Sequence, residues 1–456
     1  MAPRWARRAG EYRASALRAI AMLLSVALLL AGQVPAANAA RPPSEFGPDA
    51  PQLAALGPHA VGFETITLVQ HAQVDVLAYD PATHRAPKRD RKLVVDVWYP
   101  AVAAAGAPRM VYMGTFPSDP PAPPAHFTVP GIAVRDAPFA GANHPLVVVS
   151  HGYSNDPLAM SWITENLASK GYVVAAIRHE DPPITDKAKF IGPVMRRPLD
   201  IAFVAATLQR KLAAKHWIDP QRTALLGYSM GGYGVLTAAG AVLDPHGPTA
   251  KAVPDGLLLP YCRGGALQRS LLVAHLRAVV AISPAGGPPF DAWGRDGLAA
   301  VRAPLLLING NRDHTVGYRR AGKMVFEEAI HAPRYLLTFE EGGHDIGLDP
   351  APSGMRGTLW NLGWFQDPVW STERVNAINA HFITAFLDRY VRGERRYSAY
   401  LDVPVVYADR GAWPNDHAPY AAYSPGTGGV TVWKGFQRSF AVGLELRRAD
   451  AVPLTR

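Results

Sequence analysis

Apolar residues recur along this chain with two alternating periods. "PLVVVSHG" (Pro145–Gly152), "YVVAAIRH" (Tyr172–His179) and "TALLGYS" (Thr223–Ser229) are short apolar runs with almost no polar interruption. Such runs predict strands covered on both faces, because a solvated face would place a polar residue at every second position. "AVVAISPAG" (Ala278–Gly286), "APLLLING" (Ala303–Gly310) and "YLLTFEEGG" (Tyr335–Gly343) supply three more strands. "KLVVDVWY" (Lys92–Tyr99), closed by Pro100, supplies an earlier one. Between the strands the period changes to three or four. Met160, Ile163 and Leu167 share one helical face, with Gly171 as the stop. Ile201, Val204, Leu208 and Leu212 predict a helix over about 198–215. Further helices are expected over about 318–331 and about 372–391, the latter with Val375, Ile378, Phe382 and Phe386 on one stripe. Strands alternating with helices imply an α/β fold: a mainly parallel sheet flanked by helices on both faces.

The stretches without a period punctuate this frame. Residues 40–60 and 101–142 are dense in Pro, Ala and Gly, which predicts an extended leader and a long surface connection. Residues 243–276 and 346–371 read as insertions. After Gly393 helical signals fade, and "GVTVWKGF" and "SFAVGLEL" are candidates for a small hairpin or edge strands. One catalytic domain is therefore expected over 40–395, with a C-terminal extension, 396–456, packed on it.

The N-terminus follows different rules. Residues 1–18 hold five arginines and one acid, an apolar run spans Ala19–Ala31, and Ala37-Asn38-Ala39 is a small-x-small exit. That order describes a secretory signal peptide, residues 1–39, cleaved near Ala39. An uncleaved anchor is the alternative, although the run is short for a membrane span. Arg7-Arg8 fits the twin-arginine route poorly. Export places the mature protein in the periplasm or outside the cell. Its loss lowers the formal charge from +9 to +5, and no basic run interleaved with aromatics suggests nucleic acid. Cys262 is the single cysteine, so no disulfide can form within the chain. No second long apolar segment follows, so a mature protein without a membrane span is expected, and nothing in the sequence fixes its oligomeric state.

Chemistry enters at "GYSMGG". Gly227-Tyr228-Ser229-Met230-Gly231 fits G-x-S-x-G, and it lies where a strand should end and a helix begin. A tight turn there lifts the serine hydroxyl clear of the sheet, and the helix behind it aims free N–H groups at the site. A serine needs a base, and the base needs a group to orient it. Asp313 follows "APLLLING" and His344 follows "YLLTFEE", each in a loop at a strand's end. The intervals of 84 and 31 residues leave room for one helix and one strand between the last two loops. Asp345 and Asp291 are alternative orienting acids. His314 reads as a loop residue, and His179 and Glu180 as a solvated strand end, with a supporting role behind the site as the alternative. Backbone N–H groups of Met230 and of Tyr153, in "SHGYSN", are the expected oxyanion donors. His151 reads as structural.

Taken together, "SHGYS", "GYSMGG", "NGNRD" and "GGHD" resemble the α/β-hydrolase fold over about residues 90–392. "VVDVWYP" and "RRPLDIAF" (Arg196–Phe203) are similar to the bacterial esterases grouped with platelet-activating-factor acetylhydrolases and dienelactone hydrolases. The resemblance implies a Ser229–His344–Asp313 triad, a serine esterase acting on carboxylic esters, and neither metal nor cofactor. Dienelactone hydrolases use cysteine where this chain has Ser229. The elbow also resembles that of secreted polyester hydrolases, which are shorter and usually carry disulfides.

The substrate is less well marked. Trp360, Leu362, Trp364, Phe365 and Trp370 crowd the insertion after His344. Trp360, Trp364 and Phe365 are candidate pocket residues in a lid that would favour uncharged, fairly hydrophobic small-molecule or lipid-like esters; the same aromatics could equally pack the insertion onto the core. An acyltransferase with the same triad, a polyester- or lipid-type esterase, a peptidase and a non-catalytic binding protein are the competing readings.

Overall fold

The computed structural model describes residues 41–116, 123–183, 186–356, 362–413 and 428–454. The expected signal peptide and Trp360 lie outside the described residues. From Pro42 onward the chain forms one compact unit. Its strands are β1 (Ala60–Val74), β2 (Lys88–Ala101), β3 (Val111–Phe116), β4 (Ala125–Pro130), β5 (Val134–Arg135), β6 (His144–Ser150), β7 (Val173–Arg178), β8 (Ile218–Tyr228), β9 (Leu276–Ile282), β10 (Leu305–Gly310), β11 (Arg334–Phe339) and β12 (Leu444–Ala449). The principal helices are α1 (Ser161–Ser169), α2 (Ile191–Ala214), α3 (Met230–Ala238), α4 (Gly322–Glu328) and α5 (Thr372–Tyr390).

Ten strands form one sheet in the order β12-β11-β10-β9-β8-β6-β7-β2-β1-β5. The six from β7 to β11 run parallel, while β1, β2 and β12 pair antiparallel. The apolar runs explain why. In β6, Val147 and Val149 face one core and Leu146 and Val148 the other, so both faces must be covered. On the first face lie α1 and α5, through Trp162, Ile163, Leu167, Ile378, Phe382 and Phe386. On the second lie α2 and α3, through Ile201, Val204, Leu208 and Val235. Each such side chain, fully buried, contributes about 1.5–3 kcal/mol before the cost of ordering it.

Three expectations change. The connection over 101–142 is not a bare surface loop: β3 and β4 pair into a two-stranded sheet. Tyr112, Phe116, Phe127 and Val129 are buried there, with Tyr112 donating to Glu165 at 2.6 Å. Prolines and alanines around these few aromatics hid the alternation. Helix α2 begins seven residues before Pro198, which sits inside it. Contacts from Arg196 to Asp75 and from Arg197 to Asp181 hold the early turns that proline weakens. Helix α4 is shorter than its apolar pattern, because Gly317 (φ 81°) and Ala321 (φ −122°, ψ −110°) interrupt the run ahead of it. Of the two tail segments, the second supplies β12 along the edge of β11, whereas Val430, Trp433 and Phe436 are buried without forming a strand.

Candidate active site

Ser229 occupies the turn between β8 and α3 with φ 54° and ψ −115°, a region that disfavours any side chain. The turn is held by the Ser229 N–H donating to the Ile282 carbonyl at 2.9 Å. It can be this tight because of its glycines. A Cβ on Gly227 would run into the Gly231 carbonyl, and one on Gly231 into the Ser150 carbonyl. The sequence pattern G-x-S-x-G is here a record of two backbone crossings that leave no room for a methyl group.

His344 and Asp313 arrive from the loops after β11 and β10. The Ser229 hydroxyl lies 3.0 Å from His344 Nε2, and His344 Nδ1 lies 2.8 Å from Asp313 Oδ2. Asp313 Oδ1 accepts two backbone N–H groups, from Thr315 at 2.9 Å and Val316 at 3.0 Å. Burial works to raise the Asp313 carboxyl, but the adjoining His344 and these N–H donors outweigh it and hold the group below the ordinary carboxylate range. The line hydroxyl–imidazole–carboxylate is thus complete, with the acid ionised and fixed from behind.

Asp345 does not contact the imidazole. Its carboxyl is turned towards the Gly347 and Leu348 N–H groups and lies 3.5 Å from the Tyr228 hydroxyl; burial pushes it well above its usual value. Among the described residues no hydrogen bond joins Asp291 to His344, and His314 is exposed. The Tyr228 ring lies 5.4 Å from that of His344, forming one wall of the site.

A cavity of about 230 Å³ opens above Ser229. Among its lining residues are Phe190, Met230, Pro289, Phe290, Val316 and Trp364. Trp364 therefore lies where a pocket residue was expected. Phe365 does not line the cavity: its ring packs 5.0 Å from Phe116, anchoring the insertion on the first core face. Phe190 and Phe290, 5.6 Å apart, were not foreseen, since neither stands beside a motif in the sequence: Phe190 ends a short 3-10 helix ahead of α2 and Phe290 lies in a loop.

Tyr153 and Gly152 also line the cavity, and Met230, the first residue of α3, has no intrahelical acceptor for its N–H. Beneath the Tyr153 loop runs a polar chain that sequence reading placed in solvent. His179 is buried: its Nδ1 faces Asp200 at 2.9 Å and its Nε2 faces the Ser150 hydroxyl at 2.9 Å. Arg91 donates to both Asp200 oxygens at 2.8 Å. Burial, then the charge of Arg197, depress His179 to about 4, so it is neutral at pH 7. Only Glu180 of the pair stays exposed. The strand end is covered because α2 starts early and lays Arg197 and Asp200 over it. One signal was available: Arg197 precedes Ile201, Val204 and Leu208 by four, seven and eleven positions, so it stands on the buried stripe of the helix.

A family model described as PET hydrolase-like matches residues 137–248, the span from β6 through the Ser229 turn. Cutinase est2 of Thermobifida alba is 31% identical over 93 residues, which are 20% of this chain and 29% of that relative. The match thus spans under a third of the relative's length. The solved structure of a ferulic acid esterase from Streptomyces cinnamoneus superposes with a TM-score of 0.50 at 19% identity, covering 76% of this chain and 94% of that one. What the chain shares with that structure is the α/β-hydrolase fold. In an α/β-hydrolase the loops after successive parallel strands meet at one sheet end, and β6, β8, β10 and β11 deliver Tyr153, Ser229, Asp313 and His344 there.

Proposed function

We propose that this chain is a serine esterase of the α/β-hydrolase superfamily that cleaves carboxylic esters through an acyl-enzyme intermediate. The observation that carries the reading is the continuous hydrogen-bonded line from Ser229 Oγ through His344 to Asp313 at the floor of an apolar cavity. His344 Nε2 takes the Ser229 proton as the hydroxyl attacks the ester carbonyl. Asp313 keeps the other imidazole nitrogen protonated and stabilises the cation that forms. The N–H groups of Met230 and Tyr153 receive the developing oxyanion. His344 passes its proton to the departing alcohol, and a water, activated by the same imidazole, releases the acid. The likenesses to a PET hydrolase-like family and to a cutinase support ester chemistry.

The cavity narrows the substrate. Its volume of about 230 Å³ and its Phe190, Phe290 and Pro289 walls favour an uncharged acyl group of modest size. Residues 1–39 support export with cleavage near Ala39. No described helix is long and apolar enough to cross a membrane.

A panel of nitrophenyl esters of rising acyl length, measured for wild type and Ser229→Ala, tests the proposal. At least one short ester should lose about four orders of magnitude or more in kcat with Ser229→Ala. Equal turnover by the two proteins refutes the reading.

A further inference from the structure

Arg197 stands outside the triad, yet it holds the loop that faces Ser229. It is fully buried on α2, beneath residues 150–154. Its Nη1 donates to the His151 carbonyl and, at 3.2 Å, to the Ser150 hydroxyl. Its Nη2 donates to the Gly152 carbonyl at 3.0 Å and to the Asp181 carboxylate. The Gly152 carbonyl also accepts from His151 Nδ1 at 2.7 Å, and His151 Nε2 accepts the His179 N–H at 3.2 Å. That second bond fixes the His151 tautomer. Burial, then Arg197, push His151 well below its ordinary value, so the ring stays neutral. Asp181 completes the frame by accepting the Ser154 N–H at 2.9 Å.

These contacts dictate where one remaining group points. A trans peptide aims its carbonyl and its N–H in opposite directions. Two donors turn the Gly152 carbonyl down towards Arg197. The Tyr153 N–H, on the same peptide, is therefore turned up to the cavity side. This peptide is within touching range of the nucleophile: a Cβ added to Gly152 would lie 3.5 Å from the Ser229 Cβ.

We infer that Arg197 is the positioning residue of the oxyanion site, its guanidinium fork fixing the Gly152–Tyr153 peptide so that the N–H faces the alkoxide formed at Ser229. The inference rests on the esterase reading of Ser229. Arginine suits the task because its planar fork reaches two carbonyls, a hydroxyl and a carboxylate at once, whereas an ammonium gathers its donors on one atom and cannot span them. Asp181 balances the buried charge.

The test follows Ser229 labelling by a fluorophosphonate, whose reaction develops an anionic oxygen in the same place, together with kcat and KM on p-nitrophenyl butyrate. Two forms are compared with wild type: Arg197→Lys, which retains a cation beside Asp181, and the charge-neutral pair Arg197→Met with Asp181→Asn. Near-UV circular dichroism establishes that each is folded. The labelling rate and kcat should fall about 10- to 10³-fold, while KM stays within about threefold. A folded variant that labels at the wild-type rate, or whose loss falls wholly on KM, overturns the assignment. Should the double variant not fold, Arg197→Lys decides alone. A wild type that is never labelled sinks the nucleophile reading instead, so the two failures are distinguishable.

Discussion

Replacing Asp313 with asparagine changes one atom of the site and separates orientation from mere presence. The two carboxylate oxygens have different partners: Oδ1 takes the Thr315 and Val316 N–H groups, and Oδ2 faces His344 Nδ1 at 2.8 Å. An amide has only one acceptor. Two backbone donors claim it, because the opposite rotamer would set an NH₂ against two N–H groups. The amide nitrogen therefore faces Nδ1 and donates to it. The imidazole must then carry its proton on Nε2, which looks at Ser229 Oγ across 3.0 Å. A nitrogen already protonated cannot accept the serine's proton. A triad held in that tautomer loses about 10⁴ in kcat, or about 5.4 kcal/mol at 1.36 kcal/mol per decade. The measurement is kcat and KM for a nitrophenyl ester with Asp313→Asn, with thermal unfolding followed in parallel. KM should stay within a few-fold, and the fold should persist, since size and backbone partners are kept. If Asp313→Asn retained more than about a tenth of wild-type kcat, another group would be orienting His344 and the tautomer argument would fail.

Two further outcomes follow from the same structure. Gly231→Ala pushes a methyl group into the Ser150 carbonyl; overpacking of this kind costs at least about 1–3 kcal/mol, so the variant should unfold at lower temperature and lose most esterase activity, and a variant with wild-type Tm and turnover would show that the turn is less crowded than described. His381 is buried, accepts the Leu53 N–H on Nδ1 at 3.1 Å, and is depressed by burial, then by Lys170, to about 3. Because its folded value lies below the unfolded 6.5, the unfolded chain binds a proton that the folded chain refuses. Stability is thus retained above pH 6.5 and lost as pH falls towards 3, by about 2 kcal/mol at pH 5. Urea midpoints at pH 7 and pH 5 should differ less for His381→Gln than for wild type; an unchanged difference would remove His381 from the acid response.

The strands, and the places of Ser229, Asp313 and His344 in loops at strand ends, were legible in the sequence for a local reason. A strand buried on both faces announces itself by an unbroken apolar run, and the glycines around Ser229 by their fixed spacing. Chain order then left few candidates for the acid and the base. What stayed hidden depends on partners far away in sequence. Tyr112 and Phe127 form a covered sheet only because α1 offers Glu165 and an apolar face. Pro198 reads as a helix start until Arg196 and Arg197 are seen tied to Asp75 and Asp181. His179 reads as a solvated strand end because nothing local reveals that α2 lies over it. Phe365 and Trp364 are neighbours with opposite fates, one on the core and one on the cavity, and composition alone does not tell them apart.

The sheet's edge beside β11 is closed by β12, a segment synthesised long after the rest of the catalytic frame. Until that ribbon docks, the strand leading to His344 offers its open side to any neighbour, an invitation to intermolecular pairing. Completion of the sheet therefore waits until residues 444–449 have emerged and folded back onto β11.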